Sequence, residues 1–305
     1  MVAQGEKETQ AMTQTIGMIG IGLMGHGIAY NLARAGYALR VLDHPGNQPL
    51  TELTAMGVKV AKTIADVVSG ADIVLLCVTG APQVEEIITG ADGVAAHLGK
   101  DCIVIDCSTS LPDTSKRVAA RLAAAGASSP HQENVRLPVH ARAGTLNLLV
   151  GGDPAILQKA YHVLDTFSEN ITHIGDVGTG HLMKLLHNTV SIGMVTLLAE
   201  VAAHATREGL APDVLVDVLA KGGGGGIALQ RLAPYLLTGD ALNMAFTINN
   251  AAKDLHYYEM AAATAGATHD IAATLAKTLQ MAAQGGHGHS YLPELASLLG
   301  PDRTA

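Results

Sequence analysis

Six residues near the start of the chain, Gly20-Ile21-Gly22-Leu23-Met24-Gly25, restrict the fold more than any other stretch. Ahead of them, Thr15 to Ile19 is short and apolar, the pattern of a buried parallel strand. Behind them, His26 to Ala35 has helical spacing, and Gly36 stands at the C′ position that ends such a helix. A strand that enters a helix through glycines at this spacing gives each of them a separate duty. Gly20 permits the tight turn, Gly22 lets a phosphate group approach the backbone, and Gly25 lets helix and strand pack closely. The helix N-terminus beyond them favours an anion. A GxGxxG alone is a weak signal. With a strand before it and a helix and second strand after it, it points to a bound dinucleotide.

The same alternation continues along the chain. Tyr37 to Leu42, Ile73 to Val78 and Cys102 to Ile105 read as strands separated by helical stretches. Leu146 to Val150 reads as a later strand, followed by the turn Gly151-Gly152-Asp153-Pro154. Strand-helix repetition of this kind predicts an α/β domain, a Rossmann-type doubly wound parallel sheet with helices on both faces. The character changes near Gly175. Thr179 to Glu208 holds helical spacing without a proline, enough for a helix about 45 Å long. No convincing strand follows, so an all-helical C-terminal domain is expected. The predicted division is a disordered tail over 1–14, a dinucleotide-binding domain over 15–177 and a helical substrate and oligomerisation domain over 178–305.

Composition narrows the partners. The 305 residues carry a net charge of −8 and no basic stripe, which argues against nucleic acid. The apolar stretches look too short, and too interrupted by Gly, Thr and charge, to span a bilayer. The first fourteen residues are polar and lack a signal-peptide core. A cytoplasmic protein without membrane or nucleic-acid partners is the expectation. Cys77, Cys102 and Cys107 are odd in number, two of them within apolar runs, and read as reduced and buried. No Cys or His pairs fall at a zinc-finger spacing, so no metal is expected. His287 and His289 read as an exposed Gly/His loop, and Gly222 to Gly226 as an inter-helix loop or a mobile lid.

Asp43 ends the second strand, roughly 20 residues past the turn, where a carboxylate accepts bonds from ribose hydroxyls and repels a 2′-phosphate. His44 follows it. NAD is favoured, with NADP as the alternative, because a histidine can still meet a phosphate. The competing reading is that Asp43 only opens the turn Asp43-His44-Pro45-Gly46.

Four features occur in order: the glycine turn, Ser108-Thr109-Ser110-Leu111-Pro112 after a strand, Gly178-Thr179-Gly180 shortly before Lys184, and Lys253-Asp254-Leu255. Together they resemble the β-hydroxyacid dehydrogenase family, from about Thr15 to near the C-terminus. The resemblance implies hydride transfer between a nicotinamide cofactor and a small β-hydroxyacid, in a cleft between the two domains. The family pattern G-x-G-x-x-x-K-x-x-x-N falls on Gly178, Gly180, Lys184 and Asn188. Lys184 and Asn188 stand at i and i+4, on one face of the long helix. By the resemblance, Lys184 is the acid/base and Asn188 orients substrate. Thr79 and Gly80 lie by the adenine ribose and phosphates, Thr109 by the nicotinamide ribose, and Lys253 at the nicotinamide end. Without it, Lys184 reads as a solvated lysine and Thr109 as the cap of a helix near Pro112. An apolar, Ala-rich helical domain also suggests a homodimer or homotetramer.

One part departs from the pattern. Pro138 to Leu146 matches, and Gly144 and Thr145 would shape the pocket for the substrate carboxylate. Residues 128–137 do not match: Val135 stands where the family has Ser or Thr, and His131 where it has Asp. The stretch lacks strand periodicity and would fit poorly inside a sheet, so a disordered or re-routed loop is expected. Genuine divergence and a local frame slip both account for it. Codons for His131-Gln132, read one base out, can encode the family's Ala-Pro. Two rivals stand beside the dehydrogenase. One is a cofactor-binding sensor that has lost turnover. The other is an imine reductase, a class that usually replaces the lysine.

Overall fold

The computed structural model describes residues 14–127, 131–134 and 138–300. The chain divides into two compact units, Met1–Lys184 and Leu185–Ala305. The first runs β1 (Thr15–Ile19), α1 (Leu23–Arg34), β2 (Ala38–Leu42), α2 (Thr51–Ala55), β3 (Lys59–Ala61), α3 (Ile64–Val68), β4 (Ile73–Leu76), α4 (Ala81–Thr89), α5 (Val94–His97), β5 (Ile103–Asp106), α6 (Pro112–Ala124), β6 (His131–Asn134), α7 (Pro138–Ala143), β7 (Leu146–Gly151), α8 (Pro154–Leu164) and β8 (Ser168–Gly175). The strands form one sheet in the order β3-β2-β1-β4-β5-β6-β7-β8. The chain steps outward from β1 to β3, then returns to lay β4 on the other side of β1. That reversal opens a crevice at the carboxyl ends of β1 and β4, the place where such sheets bind ligands.

Alternation along the central strands explains why both faces are covered. Ile16 and Met18 of β1, Ile73 and Leu75 of β4, and Ile103 and Ile105 of β5 share one apolar core with Ile28 and Leu32 of α1. Ile19, Val74, Leu76 and Val104 belong to the other, with Val84 and Ile88 of α4 and Val118 and Leu122 of α6. Strands apolar on both sides are what a doubly wound sheet requires. Burial also pushes the Cys102 thiol up to about 12, so it stays protonated. Cys107 is buried as well, while Cys77 is only half-buried.

The doubly wound sheet and the helical unit after it stand as expected, and three local details differ. The helix after the glycine turn begins at Leu23, inside the motif, not at His26. The sheet is parallel from β3 through β5, but β6 pairs antiparallel with β7. Residues 135–145 join them, fewer than the dozen or more that a parallel crossover takes. Finally, His131–Asn134 is a strand within the sheet, despite its polar sequence. It pairs along β7 from His131↔Gly151 to Asn134↔Leu148 and, among the described residues, meets β5 at Asp106↔His131. Backbone ladder bonds hold it, and those do not depend on side-chain polarity. Residues 128–130 and 135–137, including Val135, lie outside the described residues, as does the tail over 1–13. Gln14 is described, and its side chain bonds His162 Nε2 at 2.5 Å.

The second unit is helical. It continues α9 (Thr179–Arg207), then adds α10 (Pro212–Lys221), α11 (Ile227–Thr238), α12 (Ile248–Thr264), α13 (Asp270–Ala282) and α14 (Leu295–Leu298). Among the described residues its strand-like pairing is one isolated bridge, Thr247↔Tyr291. Gly222 to Gly226 joins α10 to α11. Its core gathers Ile192, Val195 and Ala199 of α9 with Leu229, Leu232, Leu255 and Leu279. By length and composition α9 is apolar enough to cross a membrane, which corrects the sequence expectation. Its Gly and Thr residues do not interrupt it. One face packs into this helical core, as a domain helix does.

Candidate active site

The glycine turn has a distinct geometry at each position. Gly20 has φ +95°, and a Cβ there would overlap the carbonyl of Cys77 on the neighbouring β4 segment. A Cβ on Gly25 would overlap the Gly20 carbonyl oxygen. These two are glycine because the protein's own backbone fills the space. Gly22 differs: it caps α1 with no side-chain bond, and a Cβ there would meet nothing within 4 Å. The open space at Gly22 adjoins the uncapped first turn of α1, which suits a pyrophosphate. Leu23 is exposed and Met24 packs against the core. Asn47, which sequence reasoning missed, ties the turn to β2. Its Oδ1 accepts from Ile21 N at 3.3 Å and its Nδ2 donates to Leu42 O at 2.8 Å.

Around this turn, sheet order assembles the other cofactor candidates. Thr79 and Gly80 follow β4, Thr109 follows β5 and Asp43 follows β2, so all lie at the carboxyl ends of adjacent strands. Val78 N donates to Ser108 Oγ at 2.9 Å, joining the segment of Thr79 to that of Thr109. Thr79 is exposed, while Gly80 is buried and caps α4. The N-cap of α6 is Leu111, so the capping alternative for Thr109 fails.

Asp43 pairs with Lys62, just beyond β3, a neighbour the sequence did not reveal. His44 accepts from Gly46 N through Nδ1 at 3.0 Å and thus closes its own turn. The end of β2 therefore presents an exposed carboxylate beside an exposed ammonium.

Gly144 has φ +73°, and a Cβ there would come within 3.1 Å of Asn31 Oδ1. Asn31 is buried in α1 and donates to Ala141 O at 2.8 Å, which fastens α7 to α1. Gly144 N donates to Ala141 O at 3.3 Å and Thr145 N to His140 O at 2.9 Å. Both N–H groups serve the turn itself. Beside it, Arg142 grips Glu52 through two bonds of 2.8 and 2.6 Å and stacks 3.4 Å above the Tyr30 ring. The guanidinium holds the Glu52 carboxyl below the usual carboxylate range.

Lys184 is half-buried in the second turn of α9. One turn later, Asn188 donates through Nδ2 to Asp254 Oδ2 at 2.7 Å. Asp254 is buried and also lies 3.2 Å from Lys253 Nζ. It therefore orients both Asn188 and Lys253, a duty the sequence reading had not assigned to it. Lys253 also lies 5.5 Å from the centre of the Tyr257 ring.

Comparison with known proteins decides the family. Residues 15–175 match the NAD-binding domain of 6-phosphogluconate dehydrogenase, more than half of the chain. Residues 178–299 match the NAD-binding domain of NADP-dependent 3-hydroxyisobutyrate dehydrogenase. The chain belongs to the β-hydroxyacid dehydrogenase family. It is thus an NAD(P)-dependent oxidoreductase that acts on a hydroxyl-bearing carbon, as the resemblance implied. Among its relatives, the NAD-dependent L-serine dehydrogenase of Pseudomonas aeruginosa is 32% identical, over 72% of this chain and 74% of its own length. A 3-hydroxyisobutyrate dehydrogenase from the same organism is 33% identical, over 72% of this chain and 74% of its own. Of solved structures, Mycobacterium tuberculosis 3-hydroxyisobutyrate dehydrogenase with L-serine is 27% identical. It has a TM-score of 0.83 and covers 94% of this chain and 99% of its own.

Proposed function

We propose that this enzyme reversibly oxidises a small β-hydroxyacid to its semialdehyde or ketoacid, with Lys184 as the acid/base. The observation that carries the reading is the glycine turn, closed by backbone at Gly20 and Gly25 yet open at Gly22, in a chain that also places Lys184 on α9. A bound nicotinamide would supply the acceptor or donor for the hydride. Lys184 Nζ donates to the substrate oxygen and relays its proton as the carbon changes oxidation state. Asn188, with one amide hydrogen held by Asp254 and Oδ1 3.1 Å from His187 Nδ1, offers its other amide hydrogen to substrate. Gly144 and Thr145 shape the carboxylate pocket through the turn they form. Gly20, Ile21, Gly22, Leu23, Met24, Gly25, Thr79, Gly80, Thr109 and Lys253 hold the cofactor, and His44 closes the turn beside its ribose.

Residues 15–177 supply the dinucleotide site, and 178–305 the substrate contacts and oligomer surface. A homodimer or homotetramer fits the exposed apolar stripe of Val190, Met194, Leu197 and Val201 on α9. A soluble, cytoplasmic setting with a small-molecule partner completes the reading.

Cofactor choice rests on Asp43, whose carboxylate favours NAD. Lys62 favours the second reading, since an ammonium beside Asp43 offsets its repulsion of a 2′-phosphate. The test runs 3-hydroxyisobutyrate, glycerate, serine, threonate and a sulfonated propanediol with NAD and with NADP. Turnover of at least one acid is expected, faster with NAD. In Asp43→Ser the preference shifts toward NADP by about tenfold, the size of a lost charge-assisted hydrogen bond. Tight NADH binding with no turnover of any acid would favour the sensor instead. An unmoved preference would take Asp43 out of the ribose site.

A further inference from the structure

A group of buried polar residues lies where β5, α6 and the start of α9 meet. His181, Asp106, Ser108 and Ser115 are each no more than 1% exposed. His181 Nε2 lies 2.9 Å from the carbonyl oxygen of Ser108. A carbonyl only accepts, so Nε2 carries the hydrogen. His181 Nδ1 lies 2.7 Å from Ser115 Oγ, which is also 3.1 Å from Leu111 O. Asp106 Oδ2 lies 3.7 Å from Nε2, and Asp106 Oδ1 accepts from Ser108 N at 2.9 Å. Ser108 Oγ in turn accepts from Val78 N.

This network links three segments to which the proposed reaction assigns a task. Val78 precedes Thr79 and Gly80, Ser108 precedes Thr109, and His181 stands three residues before Lys184, on the same side of α9. Both ring nitrogens are engaged inside the protein, and the side chain has no solvent exposure. His181 therefore cannot exchange a proton directly with a ligand. What it can do is fix the first turn of the lysine helix against the Ser108–Thr109 segment. Buried polar networks of this kind hold one geometry because a broken member leaves its partners unsatisfied.

We infer that His181 is a positioning residue for hydride transfer, setting the placement of Lys184 relative to Thr109; this rests on the reaction proposed above. The experiment compares full-length wild type, His181→Ala and His181→Gln. It measures NADH affinity by fluorescence, kcat and KM on the best acid, the pH profile of kcat, and Tm. His181→Ala is expected to lower kcat at least about tenfold, the scale on which small misplacements act, with substrate KM within about threefold. The pH profile of kcat moves as well. His181→Gln, whose amide can still donate to Ser108 O, recovers most of the rate. The inference is overturned by a kcat within about twofold of wild type with an unmoved pH profile. It is equally overturned if both variants lose rate only in step with their loss of folded protein. If wild type binds NADH but turns over no acid, the proposed reaction has failed, and NADH affinity then carries the test. His181→Ala should weaken it about fivefold and His181→Gln restore it, since the network also holds Thr79 and Thr109. Unchanged affinity would overturn the inference on its own.

Discussion

Lys184→Ala lowers kcat by roughly 10²- to 10⁴-fold, the range over which a positioned acid/base acts, while NADH still binds. The expectation comes from the lysine's place and chemistry together. It is half-buried, and one turn before Asn188, whose amide is aimed by the buried Asp254. A lysine that only solvated a helix face could be removed with a change inside about 0.5 kcal/mol in stability and none in rate. Lys184→Arg is the sharper variant. It keeps the positive charge but does not release a proton near neutral pH, so it should hold substrate KM near that of wild type without restoring turnover. Steady-state rates beside NADH fluorescence titrations separate the two contributions. Unchanged turnover in Lys184→Ala would refute the role.

The second large effect sets two glycines of one motif against each other. In Gly25→Ala the new methyl group overlaps the Gly20 carbonyl, which is backbone and cannot rotate away. Overpacking of that kind costs about 1–3 kcal/mol or more, which lowers Tm by roughly 3–10 °C and removes NADH binding with it. In Gly22→Ala the methyl meets nothing within 4 Å. Its cost is that of alanine at a helix N-cap, no more than about 1 kcal/mol. Yet it fills the space left for the pyrophosphate, so NADH affinity falls at least about tenfold, or 1.4 kcal/mol on the usual conversion. Thermal melts with and without NADH show both effects. Equal melting losses in the two variants would contradict the division of labour assigned to the turn.

The sequence showed what local pattern controls. The glycine turn, the central strands β1, β2, β4 and β5, and the long α9 were legible because each carries a periodicity or a spacing of its own. The edges of the sheet were not. β3 is three residues long, and β8 reads Ser-Glu-Asn-Ile-Thr-His-Ile-Gly, mostly exposed or half-exposed. At an edge, backbone bonds define a strand more than apolar residues do. β6 lies inside the sheet, between β5 and β7, but its polar residues carry no strand periodicity and its backbone pairing alone defines it. Of the candidate site, residue identities could be read but not their partners. Asp43 meets Lys62 across 19 residues, Asn188 meets Asp254 across 66, and His181 meets Ser108 across 73. No periodicity reports contacts at such separations; the winding of the sheet and the packing of α9 on α12 create them.

In the proposed reaction, hydride moves directly between the hydroxyl-bearing carbon of a small acid and the nicotinamide. This is tested most directly with an acid turned over in the panel, deuterated at that carbon, followed by mass spectrometry of the reduced cofactor. The deuterium is expected in the reduced nicotinamide, with slower oxidation of the labelled acid. Reduced cofactor that carries no label, with the deuterium released to water, would contradict it.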